Sequence, residues 1–248
     1  MTPFRKIVEV TYMRDSRHTS SSTSSFNHSP WQLNHMDVWE ALFEGAPVKT
    51  LRKNTVVFHQ GDPLQSIYFV RRGRVRSSLF DEDGQEMTIL IFTEGTIFGE
   101  VSAIEQSPYQ VTTTTNTACT LAYLPVAVFL EKVEQSPSLT RQLNRSLTQK
   151  IIRLASHIKD IALLNSDERV VAYLLKLADT FGVETKLGLK IAIPFTHQEM
   201  ADLIATSRVT VSKVMSLLDK EGILQRIEGY LYIKDKESLL QWCASQER

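Results

Sequence analysis

The stretch Thr196–Leu224, THQEMADLIATSRVTVSKVMSLLDKEGIL, carries two apolar patterns of helical period separated by three small residues. In its second half Val211, Val214, Met215 and Leu218 recur at i, i+3, i+4 and i+7, the buried stripe of an amphipathic helix. Arg208, Thr210, Ser212, Lys213 and Ser216 are left to the opposite face. In the first half Thr196 and Glu199 form a T-x-x-E capping box ahead of Met200, Leu203 and Ile204. The turn falls at Ala205, Thr206 and Ser207, and Ser207 or Thr206 can cap the second helix, leaving Arg208 in its first turn and facing outward. Two short helices packed this way have the layout of a helix-turn-helix, in which the first residues of the second helix reach base edges in the major groove. The rival is an ordinary helical hairpin with its polar face in water. Beyond Gly222, a C-cap, ILQRIEGYLYI alternates around a Glu228-Gly229 turn, the β-hairpin of a winged helix-turn-helix.

The whole chain sets bounds on that reading. Its 248 residues can hold two modest domains, and 42% hydrophobic with 23% charged residues is the balance of a soluble globular protein. No apolar run has membrane length and the Ser/Thr-rich start lacks a signal-peptide core, so a cytoplasmic protein with no membrane partner is expected. Cys119 and Cys243 stand far apart without C-x-x-C spacing, which excludes a four-cysteine zinc or iron-sulfur site within one chain. With 28 basic and 28 acidic residues the net charge is zero, so attraction to DNA must be local and specificity must rest on base contacts and dimer symmetry. No catalytic set emerges. There is no G-x-S-x-G, P-loop or H-E-x-x-H, and the bare H-x-E at His197-Gln198-Glu199 lacks a P-C-x-x-C partner.

Taken in order, residues 1–30 are Ser/Thr-rich and too poor in apolar side chains to offset the entropy of ordering, and are expected to be a disordered tail. Trp31 to Phe43 has a helix-like pattern anchored by Trp39, Leu42 and Phe43. A sensor domain over 31–135 follows, in which the runs TVVF, SIYFV, RVRSSLF, MTILIF, YQVTTTT and CTLAYL are punctuated by Gly61, Gly73, Gly84 and Gly95. Their spacing suits a roll of short antiparallel strands, with a hairpin turning on Asp83-Gly84, both at positive φ. After a helix from Pro125 to Glu134, Ser136-Pro137 opens a long helix over 136–164, about 40 Å at 1.5 Å per residue. Its Leu147, Ile151, Leu154, Ile158 and Ile161 alternate by four and three, a coiled-coil seam for a second copy; the rival is packing on the chain's own β-roll. Asn165 to Glu168 is an N-x-x-E cap, placing a hinge near Leu164 and Asn165 ahead of a DNA-binding domain over 165–248. Within that domain KLGLKIAIPF is a small hairpin, and Asp235 caps a last helix.

HQEMADLIATSRVTVSKVMSLLDKEGIL resembles the DNA-reading segment of the Crp/Fnr family of bacterial transcription regulators, and SRVTVSK is most similar to its NtcA-like, nitrogen-control branch. The family usually has Gly in the inter-helix turn, where this chain has Ala205. Phe98-Gly99-Glu100 in the β-roll resembles the same family's sensor, and the likeness runs from Trp31 to Leu240. The resemblance implies an α+β fold: an N-terminal β-roll like a cyclic-nucleotide-binding domain, a long dimerisation helix and a C-terminal winged helix-turn-helix. It implies a homodimer on double-stranded DNA at a palindromic promoter site, acting on RNA polymerase. Arg208 then reads guanine with two hydrogen bonds. Val209 stands where many relatives have Glu and can touch a thymine methyl, and Lys213 replaces a frequent Arg, keeping charge without the planar fork. Thr196, His197, Thr210 and Ser212 become candidate phosphate contacts beside Ser207.

For an effector the family pairs Gly-Glu with Arg-Ser; this chain keeps Gly99-Glu100, followed by Val101, but has Gln110-Val111 in the second place. A phosphodiester there would lack its charge partner, so cyclic AMP is not expected. Leu154 and Ala155 replace adenine-contacting hydroxyls, which argues the same way, and Glu100 is expected to cap or pair within the roll. The nitrogen-control branch binds 2-oxoglutarate with an Arg and a Glu on the long helix, where this chain has Lys150 and Ala155. His59 and His157 leave haem open, and the effector, a small molecule if there is one, is unassigned. The alternative function is a ligand-binding regulatory module that does not touch DNA.

Overall fold

The computed structural model describes residues 31–32 and 36–245, so the tail expected over 1–30 lies outside the described residues. The fold is the expected α+β arrangement, and it divides into two compact units, Pro30–Leu154 and Ala155–Arg248, that part within the long helix. The first unit contains β1 Trp31–Gln32, α1 Met36–Leu42, β2 Val48–Leu51, β3 Val56–Phe58, β4 Ser66–Arg72, β5 Val75–Phe80, β6 Glu86–Phe92 and β7 Ile97–Phe98. After them come α2 Glu100–Ile104, β8 Thr112–Thr115, β9 Cys119–Pro125, α3 Val126–Glu134 and the start of α4 Pro137–Leu163.

Two sheets form the roll, in the orders β1-β6-β5-β8-β3 and β2-β9-β4-β7. Strand β4 shows why SIYFV is an unbroken apolar run: Ile67 and Phe69 enter a cluster with Trp39, Phe43 and Phe129, while Tyr68 and Val70 enter a second one with Phe58, Leu90, Phe92 and Phe98. A strand alternates its side chains between faces, and here both faces are covered. Gly73 makes the β4–β5 turn at φ +93, where a Cβ would lie 2.4 Å from the Ala118 carbonyl oxygen.

Two local expectations are corrected. The helix expected from Trp31 begins only at Met36, because Trp31 and Gln32 pair in parallel with Ile91 and Phe92 and satisfy the edge of β6. The anchors Trp39, Leu42 and Phe43 are buried as expected. The β5–β6 hairpin does not turn on Asp83 and Gly84 together at positive φ; of the two only Gly84 has it. The connection is longer, and the Asp81 carboxylate closes it by accepting from the Asp83 and Gln85 amides at 3.0 and 2.7 Å.

The second unit contains the last turns of α4, then α5 Ser166–Phe181, β10 Gly182–Thr185, β11 Gly188–Ile191, α6 His197–Leu203, α7 Arg208–Lys220, β12 Leu224–Ile227, β13 Tyr230–Ile233 and α8 Lys236–Ser245. The Asn165 capping box is present, its side chain accepting from the Asp167 and Glu168 amides while Glu168 accepts from the Asn165 amide. Helix α5 is buried continuously from Val170 to Ala178, packed on α7, α8 and β11. The small hairpin begins earlier than the run KLGLKIAIPF, with β10 formed by Gly182–Thr185 ahead of that run; it joins the wing in one sheet, β10-β11-β13-β12, and the wing turns at Glu228 and Gly229, both at positive φ as a type I′ turn requires. No helix among the described residues is long and apolar enough to cross a membrane.

Candidate nucleic-acid interface and sensor site

The outward tip of α7 is set by short-range contacts. Thr196 caps α6, accepting from the Glu199 amide at 3.1 Å while Glu199 accepts from the Thr196 amide at 2.8 Å. Helix α6 closes with Ala205 in the left-handed region at φ 51, and the Thr206 amide reaches back to the Ala201 carbonyl at 3.1 Å. Ser207 then caps α7, accepting from the Thr210 amide at 3.0 Å, with its hydroxyl 2.9 Å from that of Thr210. The cap leaves Arg208 exposed and Val209 77% exposed, while Val211, Val214, Met215 and Leu218 are buried as the sequence pattern requires. Arg208 and Val209 are thus presented to whatever the first turn of α7 meets.

Around this tip the structure brings several of the expected contacts together. His197 Nδ1 lies 2.9 Å from Ser212 Oγ, joining the starts of α6 and α7. Burial, then the charges of Arg226 and Arg208, hold the His197 ring below its usual pKa. Lys213 is exposed and reaches Asp167 of α5 at 3.9 Å. Arg226 on β12, one of the basic residues of the binding module, brings the wing's charge toward His197. Arg169 on α5 escaped the sequence reading: it donates to the Leu164 carbonyl at 3.1 Å and to the Ala205 carbonyl at 2.9 Å. Arg169 therefore braces the inter-helix turn, a contact across 36 residues that no local pattern signals.

The expected effector residues do not behave as one set. Gly99 takes φ +94 and starts α2, Val101 is exposed, and Gln110 is exposed and donates to Ser107 Oγ and the Pro108 carbonyl at 3.1 and 3.0 Å. Val111 and Leu154 pack on the Phe58–Phe98 core. Glu100 and Lys150 come together as a buried ion pair. On α4 the seam residues also separate: Leu147 packs on the sensor core with Leu143, Ile161 is half-buried, and Ile151 and Ile158, seven residues apart, are 66% and 65% exposed. Among the described residues no group of three or more His, Cys, Asp or Glu is placed to hold a metal ion. His59 is exposed, and His157 is buried with no partner for Nε2 among the described residues; burial first, then the charge of Lys176, pushes its pKa down to about 4.

Residues 48–136 match the cyclic nucleotide-binding domain, and residues 168–242 match the Crp-like helix-turn-helix domain. The chain belongs to the Crp/Fnr family. The global nitrogen regulator of Nostoc sp. is 28% identical over 179 residues, 71% of this chain and 80% of its own length. The CRP-like cAMP-activated global transcriptional regulator of Mycobacterium tuberculosis H37Rv is 29% identical over 194 residues, 78% of this chain and 86% of its own. The solved structure of FixK2 from Bradyrhizobium japonicum shares the fold with a TM-score of 0.68 at 19% identity, over 79% of this chain and 96% of that one. A CooA mutant from Carboxydothermus hydrogenoformans shares it with a TM-score of 0.72 at 21% identity, over 86% and 99%. As a Crp/Fnr transcription regulator the chain carries a DNA-binding helix-turn-helix, and α7 is its recognition helix. The reading as a module that does not touch DNA is set aside by that domain.

Proposed function

We propose that this Crp/Fnr regulator reads DNA as a homodimer, in the manner of the nitrogen-control branch, at a palindromic promoter site. The observation that carries the reading is the exposure of Arg208 and Val209 in the first turn of a helix capped by Ser207. A guanidinium there donates twice to guanine O6 and N7, and an isopropyl group beside it meets a thymine methyl but cannot accept from cytosine. The half-site then has one firm G with weak readout beside it, of the G-T type. Thr196, His197, Thr210, Ser212 and Lys213 take the phosphates, which fix register without reading sequence.

Regulators of this family bind DNA as dimers. The exposed Ile151 and Ile158 supply a seam of heptad spacing for a second copy, and two-fold pairing sets two recognition helices about 34 Å apart, one turn of DNA. We assign 31–135 to the sensor, 136–164 to the dimerisation helix and 165–248 to DNA binding, with work in the cytoplasm on RNA polymerase at promoters. The effector, where one acts, is a small molecule other than cyclic AMP.

Selection of binding sites from a random DNA pool tests the reading. The wild-type chain should enrich one two-fold symmetric sequence, and Arg208→Ala should lose about 10- to 100-fold in discrimination at its guanine, from a contact of about 1–3 kcal/mol. Enrichment of no shared sequence, or the same sequence with Arg208→Ala, would overturn it.

A further inference from the structure

Glu100 opens α2 with its side chain fully buried. The residues facing the α2 start in sequence do not neutralise it, since Gln110 is turned to Ser107 and Pro108, and Val111 lies in the apolar core. The cation arrives instead from α4, 50 residues away: Lys150 Nζ pairs with Glu100 Oε1, donates to the Ile97 carbonyl at 3.4 Å and sits 4.8 Å from the centre of the Phe92 ring. Glu100 Oε2 is buried with no hydrogen-bond partner among the described residues, and Lys150 is the charge partner of this carboxylate. Charges removed from water in this way are held only as a pair. The matched sensor domain ends at residue 136, so the pair ties that domain to the long helix at the position just before exposed Ile151.

We propose that Lys150 is a positioning residue that serves Glu100 as a built-in counter-ion, holding α4 on the sensor without a bound anion and presenting the Ile151 face for dimerisation and DNA binding. The proposal rests on the dimeric DNA reader argued above. An anionic effector entering beside Glu100 would meet a carboxylate, and it could recruit Lys150 only by breaking the pair. The sensor is thereby set against cyclic nucleotides and dicarboxylates.

Binding of the full chain to its selected DNA site, read by fluorescence anisotropy, tests this against Glu100→Gln, Lys150→Met and the double variant. Thermal melting and sedimentation are run beside it. The double variant removes both charges together, so it should melt above Lys150→Met, which leaves a fully buried carboxylate unpaired. It should nevertheless dimerise and bind DNA at least tenfold more weakly than the wild type. Lys150→Arg, which keeps the charge, should regain affinity. Wild-type Kd should change less than twofold with millimolar cyclic AMP or 2-oxoglutarate. A double variant that binds DNA as the wild type does makes the pair merely structural and overturns the proposal, as does a tenfold rise in wild-type affinity with either anion. Failure of the wild type to select any site is a separate result, and it removes the DNA reading itself.

Discussion

The tip of the recognition helix and the buried pairs along α4 are built by opposite rules. At the tip the helix caps are short-range: Thr196 with Glu199 and Ser207 with Thr210 each span three residues, and Arg208 and Val209, the residues proposed to read bases, stay in water. Along α4 the ties are long and dry. Lys150 reaches Glu100 across 50 residues, and in the second unit Lys176 of α5 reaches back 16 residues to Asp160 and 20 to Ser156. Local contacts prepare a surface at small cost each, whereas buried charge pairs hold one helix against another and fail expensively when one member is lost.

The sharpest way to break that contrast is at Lys176, whose side chain is almost wholly buried beside Asp160. Burial, the dominant cause, holds its ammonium below the usual lysine pKa, and Asp160 opposes that shift. Lys176→Met leaves a largely buried carboxylate with only the longer contact to Lys159 at 3.8 Å, and should destabilise the second unit by up to about 3–5 kcal/mol. Adding Asp160→Leu should restore most of the loss, since a pair replaced by apolar groups is often neutral. Urea unfolding of both variants measures it. A double variant as unstable as the single one would show that the pair does not act as a unit.

Next in size is a pH effect in the same cluster. His157, facing Lys176, Asp160 and Arg169, has its pKa pushed from 6.5 down to about 4, so the folded unit holds it neutral. The unfolded chain takes up this proton near pH 6.5 and the folded one only near pH 4. Stability from this group is therefore complete above about pH 6.5 and falls by about 3 kcal/mol as pH drops to 4, with no further loss below. His157→Leu should flatten that part of the curve, read as the difference between variant and wild type in urea midpoints at pH 4.5 and 7. Parallel curves for the two proteins would remove His157 from the account.

These residues also mark where sequence reading stops. The caps at Thr196, Ser207 and Asn165, the buried stripe of α7 and the six short strand runs, of which TVVF and YQVTTTT shorten to Val56–Phe58 and Thr112–Thr115, were legible because each is a pattern within a few residues. The separation of the α4 stripe, with Leu147 and Leu154 on the roll and Ile151 and Ile158 outside, was not, because period alone names a face without naming its neighbour. Lys150 was picked out at an effector position and Glu100 as a residue that caps or pairs within the roll, and only the fold shows that the two meet. Arg169 was missed because its target, the Ala205 carbonyl, is a backbone atom whose position depends on the turn.

The smallest effect tests the local side of the contrast. Helices α6 and α7 end alike: Ala205 and Gly222 both take positive φ just past the helix, and the amides of Thr206 and Ile223 return to Ala201 and Leu218 at 3.1 and 2.9 Å. An L side chain in this region costs about 1–2 kcal/mol, while glycine there surrenders about 0.5–1 kcal/mol of extra backbone entropy on folding. Ala205→Gly should then stabilise the second unit by up to about 1 kcal/mol. Gly222→Ala, where a Cβ would meet nothing within 4 Å, should destabilise it by a similar amount through backbone strain alone. Neither change should alter the selected DNA sequence, because Ser207 sets the first turn of α7 and Arg169 binds a carbonyl that glycine retains. Urea midpoints moving in opposite directions with one shared site preference would separate the strain of the turn from the reading done beyond it. If Ala205→Gly instead shifts the selected sequence, the turn steers Arg208 and the cap does not.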